Sequence, residues 1–240
     1  MVYQFWIVFL ILSFIIIYCD RKYSMLRDTS VAVPQPYSWA RVQLAWWTVI
    51  ILSSFISIFF LKGSVPNLHQ STVILLGISA ATTATARIID ISDLQTAGIN
   101  RHQNQQGSNF FLDILSDQNG ASIHRFQAIV FNGVFGVWFI STVLNNLTHD
   151  PCTLYKAGTQ ALTDCANDPI SFIMPAISNN NLILLGLSSA TYAALKTTEN
   201  KVPATNPAGN AAAGNPAPPV PPAATVNPNP GGNAPNVNVA

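Results

Sequence analysis

Apolar residues in this chain run together instead of alternating. Four stretches, Val2 to Tyr18, Val42 to Leu61, Thr72 to Ile89 and Phe126 to Leu144, are predominantly apolar over 17 to 20 residues each. About 20 residues of helix cross the hydrocarbon of a bilayer, and about 17 is the practical minimum. Each stretch therefore predicts a transmembrane helix. A fifth, Leu182 to Leu195, is shorter and diluted by Ser188, Ser189 and Thr191, so hydropathy alone leaves its insertion marginal.

An internal repeat brings the fifth stretch in. Ser38-Trp-Ala-Arg41-Val-Gln43 opens one apolar segment, and Ser122-Ile-His-Arg125-Phe-Gln127 opens another. Leu75-Leu-Gly77-Ile-Ser79-Ala-Ala-Thr82 returns as Leu184-Leu-Gly186-Leu-Ser188-Ser-Ala-Thr191, with Arg87 matching Lys196 and Asp90 matching Glu199. The repeating unit is a helical hairpin. Its second copy carries 25 extra residues, since Arg41 to Gly77 is 36 residues and Arg125 to Gly186 is 61. The expected fold is all-α: five transmembrane helices, made of an N-terminal anchor and two parallel-repeat hairpins related by a pseudo-twofold axis along the membrane normal.

Composition agrees with a membrane solvent. Of 240 residues, 49% are apolar and 9% charged, against roughly 25% charged in an average soluble domain. The positive charges also orient the chain. With the N-terminus outside and the C-terminus in the cytoplasm, Arg21, Lys22, Arg27, Arg41, Arg87, Arg101, Arg125, Lys196 and Lys201 fall inside, and only Lys62 and Lys156 outside. That asymmetry follows the positive-inside rule. The leading Met-Val-Tyr-Gln lacks a basic residue and no small-x-small site precedes Asp20, so the first helix is expected to remain as an anchor.

Cysteine placement fits this orientation. Cys152 and Cys165 share the long outer loop, where disulfides persist, and Cys19 ends on the reducing side. A Cys152–Cys165 bridge is expected, worth roughly 3 kcal/mol in the chain-entropy model. A competing metal site of His149, Asp150 and the two thiols lacks any zinc spacing. A calcium loop around Asp117, Asn119 and Gly120 fails because Leu115 and Phe126 occupy ligand positions.

Within each unit, Ser38 and Ser122 are suited to cap a helix start. Arg41 and Arg125 fall in its first turns, where the helix dipole does not favour a cation, so either lipid phosphate or a pair such as Asp90 or Glu199 holds them. Gln43 and Gln127, just inside the apolar zone, are expected to bond a neighbouring helix. Gly77 with Ala81, and Gly186 with Ala190, form small-x-x-x-small pairs that place the returning helices at the centre. Their hydroxyls, chiefly Thr82, Ser188 and Thr191, are candidate pore-lining groups. Trp6, Trp46 and Trp47 read as interfacial belt residues, with core packing as the alternative, and Trp138 as packed between helices.

The domain boundaries follow. Residues 1–20 form the anchor, 21–90 a cytoplasmic linker and first hairpin, 91–124 a cytoplasmic loop, 125–198 the second hairpin with its cysteine loop, and 199–240 a tail. The loop contains Phe110-Phe-Leu-Asp-Ile-Leu115 followed by a turn at Ser116 to Gly120, which predicts a short amphipathic helix. Val202 to Ala240 holds ten prolines and no charged side chain, so a disordered tail is expected there. Its PxxP matches lack a flanking basic residue.

The repeated motifs, together with Tyr37-Ser-Trp-Ala-Arg-Val-Gln-Leu-Ala-Trp-Trp-Thr48 and Asp113-Ile-Leu-Ser-Asp-Gln-Asn-Gly-Ala-Ser-Ile-His-Arg-Phe-Gln127, resemble an uncharacterised family of bacterial multi-span membrane proteins over roughly residues 35 to 200. The resemblance implies a bacterial inner (plasma) membrane and no particular activity. Asn132 and Gly133 depart from the bulkier residues usual there.

No His-Glu-x-x-His, Gly-x-Ser-x-Gly or mid-membrane Asp pair appears, so no enzyme, catalytic residue, metal or cofactor is expected. Two functions stand. One is a structural or anchoring subunit of a membrane-associated assembly, with the bilayer around it, a cytoplasmic protein on residues 91–124 or the tail, and homo-oligomerisation through the small-residue helices. The other is an oligomeric channel or passive conduit lined by the Ser/Thr-rich third and fifth helices, within one chain or around an oligomer axis. Nucleic acid is not an expected partner.

Overall fold

The computed structural model describes residues 2–96, 99–101, 106–107, 109–117, 120–155, 157–197 and 201–203. The expected disordered tail beyond Pro203, Glu199 and the middle of the turn after Leu115 lie outside them.

Among the described residues, four helices are long and apolar enough to cross a membrane: α1 (Val2–Tyr23), α2 (Trp39–Lys62), α3 (Gln70–Gln95) and α5 (Ile123–Thr148). Between α3 and α5 lies the short α4 (Phe110–Leu115). A 3-10 turn (Pro151–Leu154) and α6 (Gln160–Asn167) follow α5, and α7 (Asn179–Lys196) completes the helices. At 18 residues with three leading asparagines, α7 lacks the sustained hydropathy of the other four. Strand β1 (Ile99–Arg101) pairs antiparallel with β4 (Lys201–Pro203), and β2 (Ser116–Asp117) with β3 (Gly120–Ala121).

Helix ends follow local chemistry. Gly63 closes α2 in the left-handed region, at φ 69°, where its N–H bonds Phe59 O. Ser178 caps α7 by accepting from Asn181 N. Ser38 and Ser122 do stand at the N-cap positions, but neither hydroxyl makes the cap bond; the Ser122 hydroxyl turns to the His124 ring at 2.7 Å instead.

The helices pack in a ring. Neighbours are α2 with α3, α3 with α7, α7 with α5, and α5 with α2, while α1 lies outside on α2. This corrects the expected pseudo-twofold axis. A twofold along the bundle axis exchanges opposite corners, yet the equivalent helices, α2 with α5 and α3 with α7, occupy adjacent corners. The hairpins therefore lie side by side, like against like. The most buried helix is α2, with 44% of its most apolar stretch covered against 28% for α3 and 6% for α1. Burial of Phe5, Trp47, Ile50, Phe139, Val143 and Leu185 forms the main core, and the outward apolar residues, such as Leu10, Phe14, Phe60 and Val137, are exposed for lipid.

Close approach occurs at α2 and α5, not at the repeated glycines. A Cβ on Gly136 would fall 2.5 Å from the Trp46 indole, whereas none of the surroundings of Gly77 comes within 4 Å of such an atom, and Gly186 meets only Ile78 at 3.5 Å. The indoles of Trp46 and Trp47 donate to Asn132 O (3.1 Å) and Asn132 Oδ1 (2.7 Å), and Asn132 Nδ2 donates to Ala128 O. These tryptophans bond across helices because a buried indole N–H needs an acceptor, which is the core-packing alternative to an interfacial belt. Trp138, expected between helices, is 40% exposed.

Gly136→Ala is expected to destabilise the protein by about 1–3 kcal/mol through overpacking, and Gly77→Leu to leave it unchanged. Thermal melting in detergent measures both.

Candidate functional site

One end of the bundle carries a folded platform. It gathers the loop from Ser24 to Ser38, α4, and the near ends of α2, α3, α5 and α7. The loop holds itself by backbone bonds from Asp28 N to Pro36 O and from Ser38 N to Leu26 O, both 2.8 Å. Arg27 braces it from inside, donating to Gln35 O (2.9 Å) and Tyr37 Oη (3.2 Å) and lying 4.6 Å from the Tyr37 ring. Tyr37 in turn meets Phe110 edge-on at 5.1 Å. At Gly107, whose N–H bonds Pro34 O, a Cβ would come within 2.9 Å of Asp113 Oδ2 and 3.1 Å of Gln35 O, so the segments approach closely there.

A buried ion cluster joins this platform to the bundle. Lys196 Nζ, at the end of α7, lies 3.0 Å from Asp28 Oδ2 on the loop and 3.0 Å from Asp90 Oδ2 on α3. Lys196 is 2% exposed, Asp28 6% and Asp90 1%. Removing ions from water is costly, and a group of this kind persists only when the charges meet at hydrogen-bond distance. Burial pushes the Asp28 carboxyl up, but the Lys196 charge, hydrogen bonding with Asp90 and Lys196, and the Arg41 charge outweigh it and hold the carboxyl below its ordinary 3.8.

The two repeated arginines have parallel placements. Arg41 reaches back to Thr29 Oγ1 (3.2 Å) and Met25 O (3.5 Å). Arg125, buried, donates to Ser116 O at 2.7 Å and lies 5.5 Å from the Tyr192 ring. Each thus grips the segment that leads into its own helix. Asp90 is engaged by Lys196. The glutamines diverge: Gln43 is fully buried and donates to Ser189 Oγ at 2.9 Å, while Gln127 is exposed.

The candidate pore residues are separated by environment. The Thr82 hydroxyl bonds back to Ile78 O at 2.8 Å, Thr191 is half-buried, and the Ser188 hydroxyl is buried with no partner among the described residues. At the other end of the bundle, Cys152 and Cys165 form a disulfide with their Cα atoms 5.6 Å apart. The segment that follows the disulfide folds into the bundle, where Ile173, Met174 and Ile177 are buried and Ile177 N donates to Ser71 Oγ at 2.9 Å.

Sequence reasoning missed Asp28, Asn132 and Gly136. Asp28 lies in a Pro-containing loop with no periodic signal. Asn132 and Gly136 on one apolar helix, with paired tryptophans on another, are a legible sign of a crossing where an indole needs room and an acceptor.

These features define a mostly helical chain with, among the described residues, four candidate membrane spans and a polar platform at one end. Compared with known proteins, the chain matches no family model, no curated protein and no solved structure.

Lys196→Met leaves the Asp28 and Asp90 carboxyls buried without their cation and is expected to cost about 3–5 kcal/mol, read by thermal melting; Asp28→Asn should also destabilise. The pH dependence has a definite sign. The folded value of Asp28 lies below its unfolded one, so its contribution is complete above 3.8 and disappears as pH falls through the folded value. An acid titration should lose that component in Asp28→Asn.

Proposed function

We propose that the chain is an integral membrane scaffold, anchored in a bacterial inner membrane, that presents its platform to a cytoplasmic protein. The observation that carries this reading is the Asp28–Lys196–Asp90 cluster. It ties the loop to one helix from each hairpin, so a load on the platform passes into the bundle instead of bending a linker. Phe111 and Val31, 74% and 72% exposed, supply apolar contact points there. The orientation, N-terminus outside and C-terminus inside, follows from the basic residues. With α7 as a fifth span, both hairpins return to the cytoplasm. The packing of α7 between α3 and α5 supports its insertion despite its weak hydropathy.

A second reading is favoured by one specific observation. Gln43 Oε1 and the hydroxyls of Ser53, Ser57, Thr72, Ser79 and Ser188 are buried without a hydrogen-bond partner among the described residues. An unsatisfied buried polar atom costs about 1–3 kcal/mol, so a hydrated path along α2, α3 and α7 would explain them.

Two measurements test these readings. Reporter fusions at Asn200 and Gly158 should be active inside and outside respectively; an externally active reporter at Asn200 removes the fifth span. Purification in mild detergent should retain a soluble protein that is lost from Phe111→Glu. If instead nothing is retained, and liposomes show a flux that changes in Ser53→Ala with Thr72→Val, the conduit replaces the scaffold.

A further inference from the structure

A groove of about 500 Å³ opens between α1 and α2 in the half of the bundle nearest the platform. Its size falls in the range of about 300–1,000 Å³ that takes one small ligand. Phe9 and Ile16 of α1 and Val49 of α2 wall it, and the shortness of Ser13 and Ala45 leaves the space. The platform end is polar. Asp20 and Arg21 line it there, but they are not equivalent. Asp20 is 4% exposed and is consumed internally, accepting from Leu26 N at 2.9 Å and pairing with Arg27 at 3.8 Å. Arg21 is exposed and, among the described residues, has no carboxylate partner. The groove therefore presents an apolar channel ending in one uncompensated positive charge.

Its length fits one leaflet. Twelve residues of helix separate Phe9 from Arg21, about 18 Å at 1.5 Å per residue. Half of a hydrocarbon core about 30 Å thick is about 15 Å. We propose that this groove binds one anionic phospholipid of the platform-side leaflet, its phosphate on Arg21 and one acyl chain between Ser13 and Ala45. The site requires α1 and α2 to lie in a bilayer and is independent of whether the platform holds a partner.

Native mass spectrometry of the full chain in mild detergent tests it, with phosphatidylglycerol and phosphatidylcholine of matched chains as probes. The wild type should retain one phosphatidylglycerol with about fivefold preference, the effect of one basic residue at an anionic surface. Ala45→Phe should lose that lipid while melting like the wild type, and Arg21→Gln should bind both lipids alike. Should Ala45→Phe fold poorly, Ser13→Leu fills the groove from the other wall. Undiminished phosphatidylglycerol binding in a folded groove-filling variant overturns the proposal, as does equal binding of the two lipids by the wild type. A groove-filling variant that instead breaks a dimer assigns the groove to a second copy, which also overturns it. The reporter fusions fail separately, since they read the fifth span and not the lipid.

Discussion

A lysine ammonium held between two aspartates, away from water, fixes the lower end of this molecule. Lys196 comes last in α7, Asp90 lies near the end of α3, and Asp28 belongs to a loop more than 160 residues earlier in the chain. None of these groups can be buried alone, because an unpaired charge in a low-dielectric interior costs several kcal/mol. The cluster therefore makes three separate choices depend on one another: how far α7 extends, where α3 stops being lipid-facing, and which way the first loop folds. The Arg41 and Arg125 grips can then act on segments that already have a fixed position.

The repeat explains how such a platform is assembled from two similar hairpins. In each copy an arginine in the first turn reaches back to the chain that enters the helix, to Thr29 and Met25 in one and to Ser116 in the other. Elsewhere the copies have diverged. Gln43 is buried on Ser189 while Gln127 is exposed. Side-by-side packing of like helices accounts for this, because adjacent corners of a ring face different neighbours, and a residue kept inside in one copy is turned outward in the other.

What the sequence made legible is the part that depends on average polarity. Long apolar runs, the short helix at Phe110 to Leu115, and the cysteine pair in one loop are each visible without knowing which helix touches which. The crossing of α2 on α5 was not, although Gly136, Asn132 and the two tryptophans carry it. A small-residue motif states only that close approach is permitted, and Gly77 shows that permission is not contact: its surroundings are open. The ion cluster was hidden for a related reason. Asp90 and Lys196 were visible as repeat positions, but their shared partner, Asp28, comes from a loop whose fold is set by Arg27, Tyr37 and Gly107 and not by any periodicity.

The opposite end of the bundle bears on which function these constraints serve. The extra residues of the second hairpin do not hang free. Ile173 and Met174 enter the core, Asn146 Nδ2 donates to Ile173 O at 3.1 Å, and Ser71 at the start of α3 receives the Ile177 N–H. Both ends of the ring thus carry folded chain, one the platform and the other the disulfide-bearing segment. A conduit through a single chain would have to pass both segments, which are held by backbone hydrogen bonds and buried side chains. A scaffold needs the reverse property, ends that do not yield. The buried hydroxyls along α2, α3 and α7 then have a simpler place, as sites where individual waters complete the hydrogen bonding of a closed bundle.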